Sequence, residues 1–367
     1  MRRRVASLTA AAFTLALLVP VGSVSAASTI SVHPGQSIQA AINKAPAGGL
    51  VVVERGTYKG NLEIKRSLRL VGHNAVIVPA AKPTPNICLT PGFFTGVPGF
   101  CIHGVPNADM TAIAPISNVS VEGITVQNFS GPGIVALGVA GFRVVRVVTA
   151  HNGEMGMFIN MVSSLSLLGS SSYDNHGDGF FLENLPESSS SANAVITGNT
   201  LAGNLGSGIM FINSLGGRIA LNTMTGNCAG ISVVGFAGQY GSAGGDVSIQ
   251  LNQVTANNRM CPPDGSGTPA YGGVGIALLG SQNTVVALND VEGNVAQAGS
   301  AFPGGGIVVA TLGATSASPA SLAPTGNSVR LNWLSGNTSN DVYGDGTGTT
   351  NTAGGNTCTT TNLTGAC

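Results

Sequence analysis

One short pattern of residues is written five times in the second half of the chain. The copies read NTLAGN, NTMTGN, NQVTAN, NDVEGN and NWLSGN, and they begin at Asn199, Asn222, Asn252, Asn289 and Asn332. In each copy an apolar residue precedes the first Asn by three positions, and another follows it by two. Self-similarity of this kind indicates a solenoid of stacked structural repeats.

A second pattern, a Gly followed by a short apolar run, recurs with the first. It begins at Gly133, Gly156, Gly179, Gly208, Gly230, Gly275 and Gly306, and the spacing ranges from 22 to 45 residues. The unit is therefore about 22 residues long, and the longer spacings contain loops. The apolar runs are short, rich in Val and Ile, and bounded by Gly and Asn, which excludes a helical solenoid. The spacing of leucine-rich repeats is also missing.

These patterns predict an all-β chain, namely a single-stranded parallel β-helix in which each coil lays its strands on those of the coil before. Strands that return to one sheet by a crossover do so almost always with a right hand, so we expect a right-handed solenoid. The asparagines should be structural. Stacked one coil apart, their amides can bond to each other and to turn backbone that no ladder satisfies.

The first 26 residues are typical of a secretory signal peptide. They contain three arginines at positions 2 to 4, an apolar segment from Leu8 to Val19 and a small-residue site ending at Ala26. No later apolar run is long enough to span a membrane without a charge. We therefore expect a secreted, extracellular protein with no membrane span, and we expect it to be a monomer.

Composition narrows the classes of partner. Lys and Arg together number 15, as do Asp and Glu, so that removal of the three signal arginines leaves a net charge of about minus three. A nucleic-acid partner would require a basic stripe and is not expected. Charged residues make up only 8% of the chain, and Gly contributes 54 of 367 residues, which suits a secreted solenoid with a Ser, Thr, Asn and Gly surface.

The six cysteines occur as sequence neighbours in an exported chain, where disulfides persist. Six cysteines allow about 15 connectivities, and the simplest joins Cys88 to Cys101, Cys228 to Cys261 and Cys358 to Cys367. None of the spacings fits a metal finger. We expect three loop-closing disulfides and no catalytic thiol.

The chain divides into five segments. A signal peptide (1–26) precedes an N-terminal cap with the first coils (27–78), in which Ser37 opens a short amphipathic helix. A Pro- and Gly-rich stapled loop region (79–116), the β-helix repeats (117–340) and a disulfide-stapled tail (341–367) follow. Later insertions, at 258–273 and 295–305, fall between the Asn pair and the Gly strand, so they should project on one side and wall a groove.

The opening PGQSIQAAI, the GTY that follows it and the short strands after it resemble the start of secreted right-handed β-helix proteins of the pectin-lyase-like superfamily. The coils from Asn118 onward resemble the repeats of that superfamily, and the tail resembles the end of bacterial members whose activity is unassigned. The resemblance covers nearly the whole mature chain. It implies the fold, but this scaffold hosts lyases, hydrolases, epimerases and proteins without activity.

Acidic residues and histidines are concentrated around the third Gly repeat. No Lys or Arg occurs between Arg146 and Arg218, whereas five carboxylates and two histidines fall there: His151, Glu154, Asp174, His176, Asp178, Glu183 and Glu187. If the Gly repeats are in register, His151 lies against Asp174, and Glu154 lies beside Gly177. Turn formation also explains several of these residues.

The run from Tyr173 to Asp178 is similar to the aromatic, Asp, Pro, His, acid motif of alginate epimerases, although Asn175 replaces the Pro and Gly177 separates His176 from Asp178. This resemblance implies Asp174 and His176 as a proton-transfer pair. Asp178 is a third catalytic candidate, and Tyr173, His151, Glu154 and Arg218 are candidate substrate-binding residues. Glu154, Asp174 and Asp178 could hold Ca²⁺.

Two functions remain open at this stage. The chain is a carbohydrate-active enzyme (lyase, epimerase or hydrolase) acting on an extended acidic polysaccharide, or it is a non-catalytic extracellular binding or scaffold protein on the same fold. The patterns of polygalacturonases and calcium pectate lyases are incomplete in this sequence.

Overall fold

The computed structural model describes residues 29–90, 94–107, 113–183, 193–236, 244–263, 270–300, 303–314 and 320–367. The predicted signal peptide lies outside this range. One helix, α1 (Ile38–Lys44), one short 3₁₀ turn (Ile87–Leu89) and 31 strands are present in the described residues. The strands are β1 (Thr29–Val32), β2 (Gly49–Val53), β3 (Gly56–Lys59), β4 (Leu62–Ile64), β5 (Leu68–Val78), β6 (Phe100–His103), β7 (Val105–Pro106), β8 (Ile113–Ala114), β9 (Ile116–Gln127), β10 (Ile134–Val145), β11 (Val148–Ala150), β12 (Met157–Ser163), β13 (Ser166–Leu168), β14 (Ser171–Tyr173), β15 (Phe180–Glu183), β16 (Ala194–Thr197), β17 (Thr200–Ala202), β18 (Ser207–Ile212), β19 (Leu215–Ala220), β20 (Thr223–Thr225), β21 (Ala229–Val234), β22 (Gly245–Gln250), β23 (Gln253–Thr255), β24 (Val274–Leu279), β25 (Val285–Ala287), β26 (Asp290–Glu292), β27 (Gly305–Ala310), β28 (Ser328–Arg330), β29 (Trp333–Ser335), β30 (Asn340–Gly344) and β31 (Thr352–Gly354).

Parallel pairing of each strand with the equivalent strand one coil away produces a solenoid with three faces. Sheet A contains β4, β6, the first half of β10, and then β12, β15, β18, β21, β24, β27 and β30. Sheet B contains β1, β2 and the series from β13 to β31, and sheet C contains β3, β11 and the series from β14 to β29. The long strands β5, β9 and β10 each bend from one sheet to the next. The predicted parallel β-helix is confirmed.

Alternating residues of the solenoid strands point into one continuous core. In β18, for example, Ile209 and Phe211 are fully buried inside the solenoid, whereas Met210 and Ile212 lie on the outer face of sheet A. The core extends from Val32 in the first coil to Val342 in the last. Burying a side chain of this size contributes about 1.5–3 kcal/mol before entropy is subtracted, so the stack of coils is the main source of stability.

Asparagine side chains form two hydrogen-bonded ladders at the corners on either side of sheet C. The amide Nδ2 of each Asn donates to Oδ1 of the Asn one coil further, and the same Oδ1 accepts from a backbone N–H. One ladder contains Asn199, Asn222, Asn252, Asn289, Asn332 and Asn356. The other contains Asn152, Asn175, Asn204, Asn227, Asn257, Asn294 and Asn337. The structural interpretation of the asparagines is confirmed, because these buried side chains satisfy corner backbone that has no strand partner.

The ends and the loops follow the sequence prediction in part. Ser37 accepts a hydrogen bond from the backbone N of Ala40 and caps α1, which packs against β1, β2 and β4. All three disulfides join the sequence neighbours that we expected. Two boundaries differ, because β6 is a strand of sheet A inside the predicted loop region 79–116, and β30 and β31 extend the coils into the predicted tail.

Connections at two corners flank sheet A. The chain passes from sheet C to sheet A through the disulfide-closed segment before β6 and through the long connections before β24 and β27. It passes from sheet A to sheet B through the connections after β15, β21 and β27. As predicted, the insertions at 258–273 and 295–305 leave from the same corner. Among the described residues of these connections, Phe236, Tyr271, Pro303 and Leu312 border the outer face of sheet A around β18 to β27, and this face is called the cleft below.

Candidate functional site

The predicted cluster of acids and histidines lies at the corner between sheets C and A. His151 and Asp174 occupy equivalent positions in adjacent coils, directly after the paired strands β11 and β14. Their Nδ1 and Oδ2 atoms are 4.0 Å apart, and both side chains are about half exposed. Both residues have a positive φ of 53°, a backbone conformation that Asn, Asp and His adopt more readily than other non-Gly residues.

Two further groups surround this pair. The ring of Tyr173 meets the ring of His151 edge-on, with centroids 5.5 Å apart. In the next coil, the guanidinium of Arg259 donates to the carbonyl of Gly203, which follows the strand paired with β14. The position that a Cβ of Gly203 would take lies 2.5 Å from Asp174 Oδ1 and 3.9 Å from Arg259 Nη2, so this cation is near Asp174 in space. The sequence did not single it out, because Arg259 follows β23, three coils after Asp174.

The other predicted residues at this corner have different partners. Asp178 is buried, and its Oδ1 accepts a hydrogen bond from the backbone N of Ser207 at 2.5 Å. Glu154 Oε1 accepts from the N and Oγ1 of Thr95 and from the N of Gly96. Glu154 therefore holds the loop closed by the Cys88–Cys101 disulfide, and Asp178 joins two coils. Of the predicted catalytic trio, Asp174 and His176 are exposed.

Arg218 is separate from this group. It is exposed on sheet B, in register with Val195 and Ser248, whereas the cluster lies at the opposite corner of the coil. Arg218 therefore does not reach the same cleft as Asp174. Within the ranges that the structure describes, no group of three His, Cys, Asp or Glu side chains is placed to hold a metal ion, and this includes Glu154, Asp174 and Asp178.

The outer face of sheet A presents two columns of side chains between the flanking connections. The first column runs through Cys101, Val135, Phe158, Phe181, Met210, Ser232, Ala277, Val308 and Tyr343. The second runs through His103, Leu137, Asn160, Glu183, Ile212, Val234, Leu279 and Ala310. Aromatic and polar groups are concentrated in the coils of β12 and β15.

Three phenylalanines form an aromatic platform on this face, defined here as Phe94, Phe158 and Phe181. The rings of Phe158 and Phe181 stack with centroids 5.3 Å apart and planes 13° from parallel. Phe94, in the disulfide-closed loop, meets Phe158 edge-on at 5.1 Å. Because Glu154 bonds to the next two residues of that loop, the corner cluster fixes the position of Phe94.

Glu183 lies beside the platform, two residues after Phe181, and pairs in register with Asn160. Burial raises the pKa of the Glu183 carboxyl to about 7. A carboxyl group with this pKa exchanges a proton near neutral pH, which is the property required of a general acid or base. In the sequence alone, Glu183 is only one of several acids in this segment. The available signal was the strand alternation in GFFLEN, which places Phe181 and Glu183 on one face.

In the coils that follow Glu183, from β18 to β27, the outer face of sheet A is apolar. Ile212, Val234, Leu279 and Val308 form a second hydrophobic cluster on the outer face of sheet A. Phe236, Tyr271 and Leu312 from the flanking connections pack against it or line it. At the opposite end of the cleft, buried His103 is 3.1 Å from the carboxylate of Glu63 through Nε2 and 2.6 Å from the carbonyl of Gly104 through Nδ1.

Comparison with known proteins agrees with the architecture. A family model described as the right handed beta helix region matches residues 102–254. No curated protein sequence matches the chain significantly. Among the helices of the described residues, none has the length and apolar character needed to cross a bilayer.

Solved structures of similar shape include two mannuronan C-5 epimerase modules from Azotobacter vinelandii. The A-module of AlgE4 gives a TM-score of 0.57 at 18% identity, covering 89% of this chain and 93% of that chain. The A-module of AlgE6 gives 0.58 at 18% identity, covering 89% and 91%. The periplasmic alginate epimerase AlgG gives 0.50 at 15% identity, covering 86% and 70%. At these identities the likeness shows the fold alone, which is a right-handed parallel β-helix.

Proposed function

We propose that the protein binds an extended uronic-acid polysaccharide across the outer face of sheet A and modifies it by proton transfer at Glu183. The observation that carries this proposal is a carboxyl group whose pKa is raised to about 7, placed in the cleft beside the aromatic platform. The existence of mannuronan and alginate epimerases with the same fold supports the substrate class.

The platform supplies the binding surface. Flat faces of sugar rings carry C–H groups that pack well on aromatic side chains, and Phe158 and Phe181 present two stacked rings one coil apart. Phe236, Tyr271, Pro303 and Leu312 border the apolar part of this face, and the columns run from coil to coil, so a chain of sugar units would run along the solenoid axis. Phe94 would close over the chain from the disulfide-closed loop.

Recognition of a uronate carboxylate would depend on neutral donors. The two outer-face columns of sheet A contain neither Lys nor Arg among the described residues, and Arg218 lies on another face. Protonated Glu183 and the Asn160 amide are the donors beside the platform. A carboxyl that is half protonated near pH 7 can bind an anionic unit without charge repulsion and can then transfer its proton.

The residues predicted from the sequence define a second arrangement for the same chemistry. In it, Asp174 and His176 form the proton-transfer pair, with His151 and Tyr173 beside them. The 4.0 Å approach of His151 to Asp174 favours this arrangement. The burial of Asp178 and the engagement of Glu154 by Thr95 favour Glu183 instead.

One experiment separates these arrangements from each other and from a non-catalytic binding protein. Purified protein is incubated with pectin, alginate and glycosaminoglycans, with calcium supplied. The readouts are ultraviolet absorbance for unsaturated uronides, reducing ends for hydrolysis, and NMR for epimerisation. We expect turnover on one substrate. Three flat readouts with retained binding would identify a binding or scaffold protein.

Variants then assign the residues. Glu183→Gln should lower kcat about 100-fold or more while KM stays within about threefold, because the amide imitates the protonated carboxyl but cannot transfer a proton. Phe158→Ala should raise KM. Glu54→Gln, a surface change far from the cleft, is the matched control. Full activity of Glu183→Gln together with loss of activity in Asp174→Asn and His176→Ala would favour the second arrangement.

We also propose that the protein acts outside the cell. Three disulfides link neighbouring cysteines, and such bonds persist in oxidising compartments. The predicted signal peptide agrees with export, and an extracellular polysaccharide is the corresponding partner. N-terminal sequencing of protein recovered from culture medium would test export, and cleavage after Ala26 is the expected result.

A further inference from the structure

The outer face of sheet C beyond the coil of Tyr173 is a largely polar surface that the proposed function does not use. One column on this face runs through Ser171, Thr200, Thr223, Gln253, Asp290 and Trp333. The neighbouring column runs through Tyr173, Ala202, Thr225, Thr255, Glu292 and Ser335. The connections that border sheet A follow the last residues of the sheet C strands, whereas the column of Trp333 is formed by the first residues of these strands.

Trp333 departs from the composition of its column. It is the only Trp of the chain, and its side chain is 60% exposed, while Leu334 beside it fills the core. Smaller polar residues, such as Thr223 and Gln253, occupy the same position in earlier coils, so the fold does not require an aromatic ring there. An exposed indole on a flat polar sheet is suited to stacking against a sugar ring.

Two carboxylates lie next to the indole. Asp290 is the direct strand partner of Trp333, and adjacent strands are about 4.8 Å apart. Glu292 lies on the same face two residues further, where its Oε1 accepts from Ser335 Oγ at 3.0 Å. Among the described residues, neither carboxylate takes part in an ion pair with Lys, Arg or His. Burial and the charge of Glu292 raise the pKa of the Asp290 carboxyl, so a cation at this place would relieve the repulsion.

We propose that Trp333, Asp290 and Glu292 form a binding site for an oligosaccharide that carries free amino groups. One sugar ring stacks on the indole, and an ammonium group of the same or the next unit lies between the two carboxylates. Charge complementarity selects this ligand. The paired carboxylates repel uronate chains, so this surface and the cleft on sheet A take glycans of opposite charge.

The single Trp makes the site directly observable, since all tryptophan fluorescence comes from Trp333. A glucosamine hexamer is titrated into the full-length protein near pH 6, where the amino groups are charged. We expect a saturable change in fluorescence. The fully N-acetylated hexamer, which has the same rings without the charge, should bind at least about tenfold more weakly. A lysine hexamer controls for cations that carry no sugar ring.

Variants complete the test. Asp290→Asn with Glu292→Gln keeps the fluorophore and should weaken glucosamine hexamer binding at least about tenfold. Asp246→Asn removes an exposed charge from sheet B and should leave glucosamine hexamer binding unchanged. Trp333→Ala removes the fluorophore, so its binding is measured by retention of the protein on chitosan beads. We expect this variant to be retained less than the native protein. Equal binding of the acetylated hexamer, an equal response to the lysine hexamer, or full binding by the double variant would overturn the proposal.

Discussion

The carboxylate of Glu154 accepts hydrogen bonds from both the N and the Oγ1 of Thr95, at 2.8 and 2.7 Å. Fifty-nine residues separate the two positions in the chain. The contact joins a corner of the solenoid to the disulfide-closed loop that places Phe94 against Phe158. A residue predicted to bind substrate directly thus supports one wall of the cleft.

Removal of this carboxylate should release the loop. In Glu154→Ala the amides of Thr95 and Gly96 lose their acceptor, and we expect their hydrogen exchange to accelerate at least about tenfold, since one hydrogen bond to a charged group contributes about 1.5–3 kcal/mol. Affinity for the polysaccharide should fall as Phe94 leaves the platform. Glu54→Ala is the control. Unchanged exchange at both amides would contradict the role given to Glu154.

Glu183 should make stability depend on pH in a specific direction. Its pKa is raised from 4.5 to about 7 in the folded state, so the folded protein binds the proton more tightly than the unfolded chain does. This contribution is fully present below about pH 4.5 and is lost as the pH rises through 7. At about 1.36 kcal/mol per pKa unit, the upper limit is about 3 kcal/mol.

The measurement is the free energy of unfolding in urea at about pH 5 and about pH 8. Glu183→Gln has no proton to lose, so its stability relative to the native sequence should increase by up to about 3 kcal/mol between these pH values. Asp246→Asn should show no such trend. If the two curves for Glu183→Gln and the native sequence stay parallel, the raised pKa is refuted.

A substitution at Asn252 would measure how much the asparagine ladders contribute to stability. It accepts from the backbone N and the Nδ2 of Asn222, and its own Nδ2 donates to Asn289 at 2.9 Å. Asn252→Ala leaves buried donors and acceptors without partners, at about 1–3 kcal/mol for each group, so we expect a loss of at least about 3 kcal/mol. Asn43→Ala, on the exposed side of α1, should change stability by less than about 0.5 kcal/mol. A similar Tm for both variants would show that the ladder is dispensable.

Asp341 ends the second ladder and should contribute stability at neutral pH. Burial acts to raise its pKa, but hydrogen bonds from Thr359, Asn337 and Thr360 outweigh burial and hold the pKa of the carboxyl below its ordinary value of 3.8. The contribution is therefore present above about pH 4 and is lost as the pH falls through the lowered pKa.

In Asp341→Asn the replaced oxygen can no longer accept from the backbone N of Thr359. We expect a loss of about 1–3 kcal/mol at about pH 7, measured by urea unfolding, and a smaller difference below about pH 3. Asp246→Asn is again the control. A loss that is equally large at both pH values would mean that the charge of Asp341 is unimportant.

The fold could be predicted from the sequence because the spacing of apolar residues and asparagines in the repeat determines which side chains fill the core and which align at the corners. Apolar residues three positions before and two positions after the first Asn of each copy, such as Ile219 and Met224 around Asn222, fill the core. The first asparagines of the five copies align one above another. The alignment of the Gly repeats between adjacent coils also predicted that His151 lies against Asp174. The disulfide pairing followed from the neighbouring positions of the cysteines in the sequence.

The chemistry was less readable because side-chain direction decides it. Asp178 and Glu154 belong to the acid-rich segment, yet each carboxylate is bound by backbone N–H groups from distant parts of the chain, and such contacts leave no local signal. The backbone partners of Asp341, at Thr359 and Thr360, leave no local signal for the same reason. Glu183 was visible as an acid, but its raised pKa depends on burial created by neighbouring coils.

The unequal lengths of the coils do not disturb the floor of the cleft. Ile231 pairs with Ile276 although 45 positions separate them, and Val135 pairs with Phe158 across 23. The extra residues belong to the connections at the corners. These connections can therefore change in length or sequence while the paired strands of sheet A keep their register. One scaffold of this kind can evolve new glycan preferences by altering only what stands at its edges.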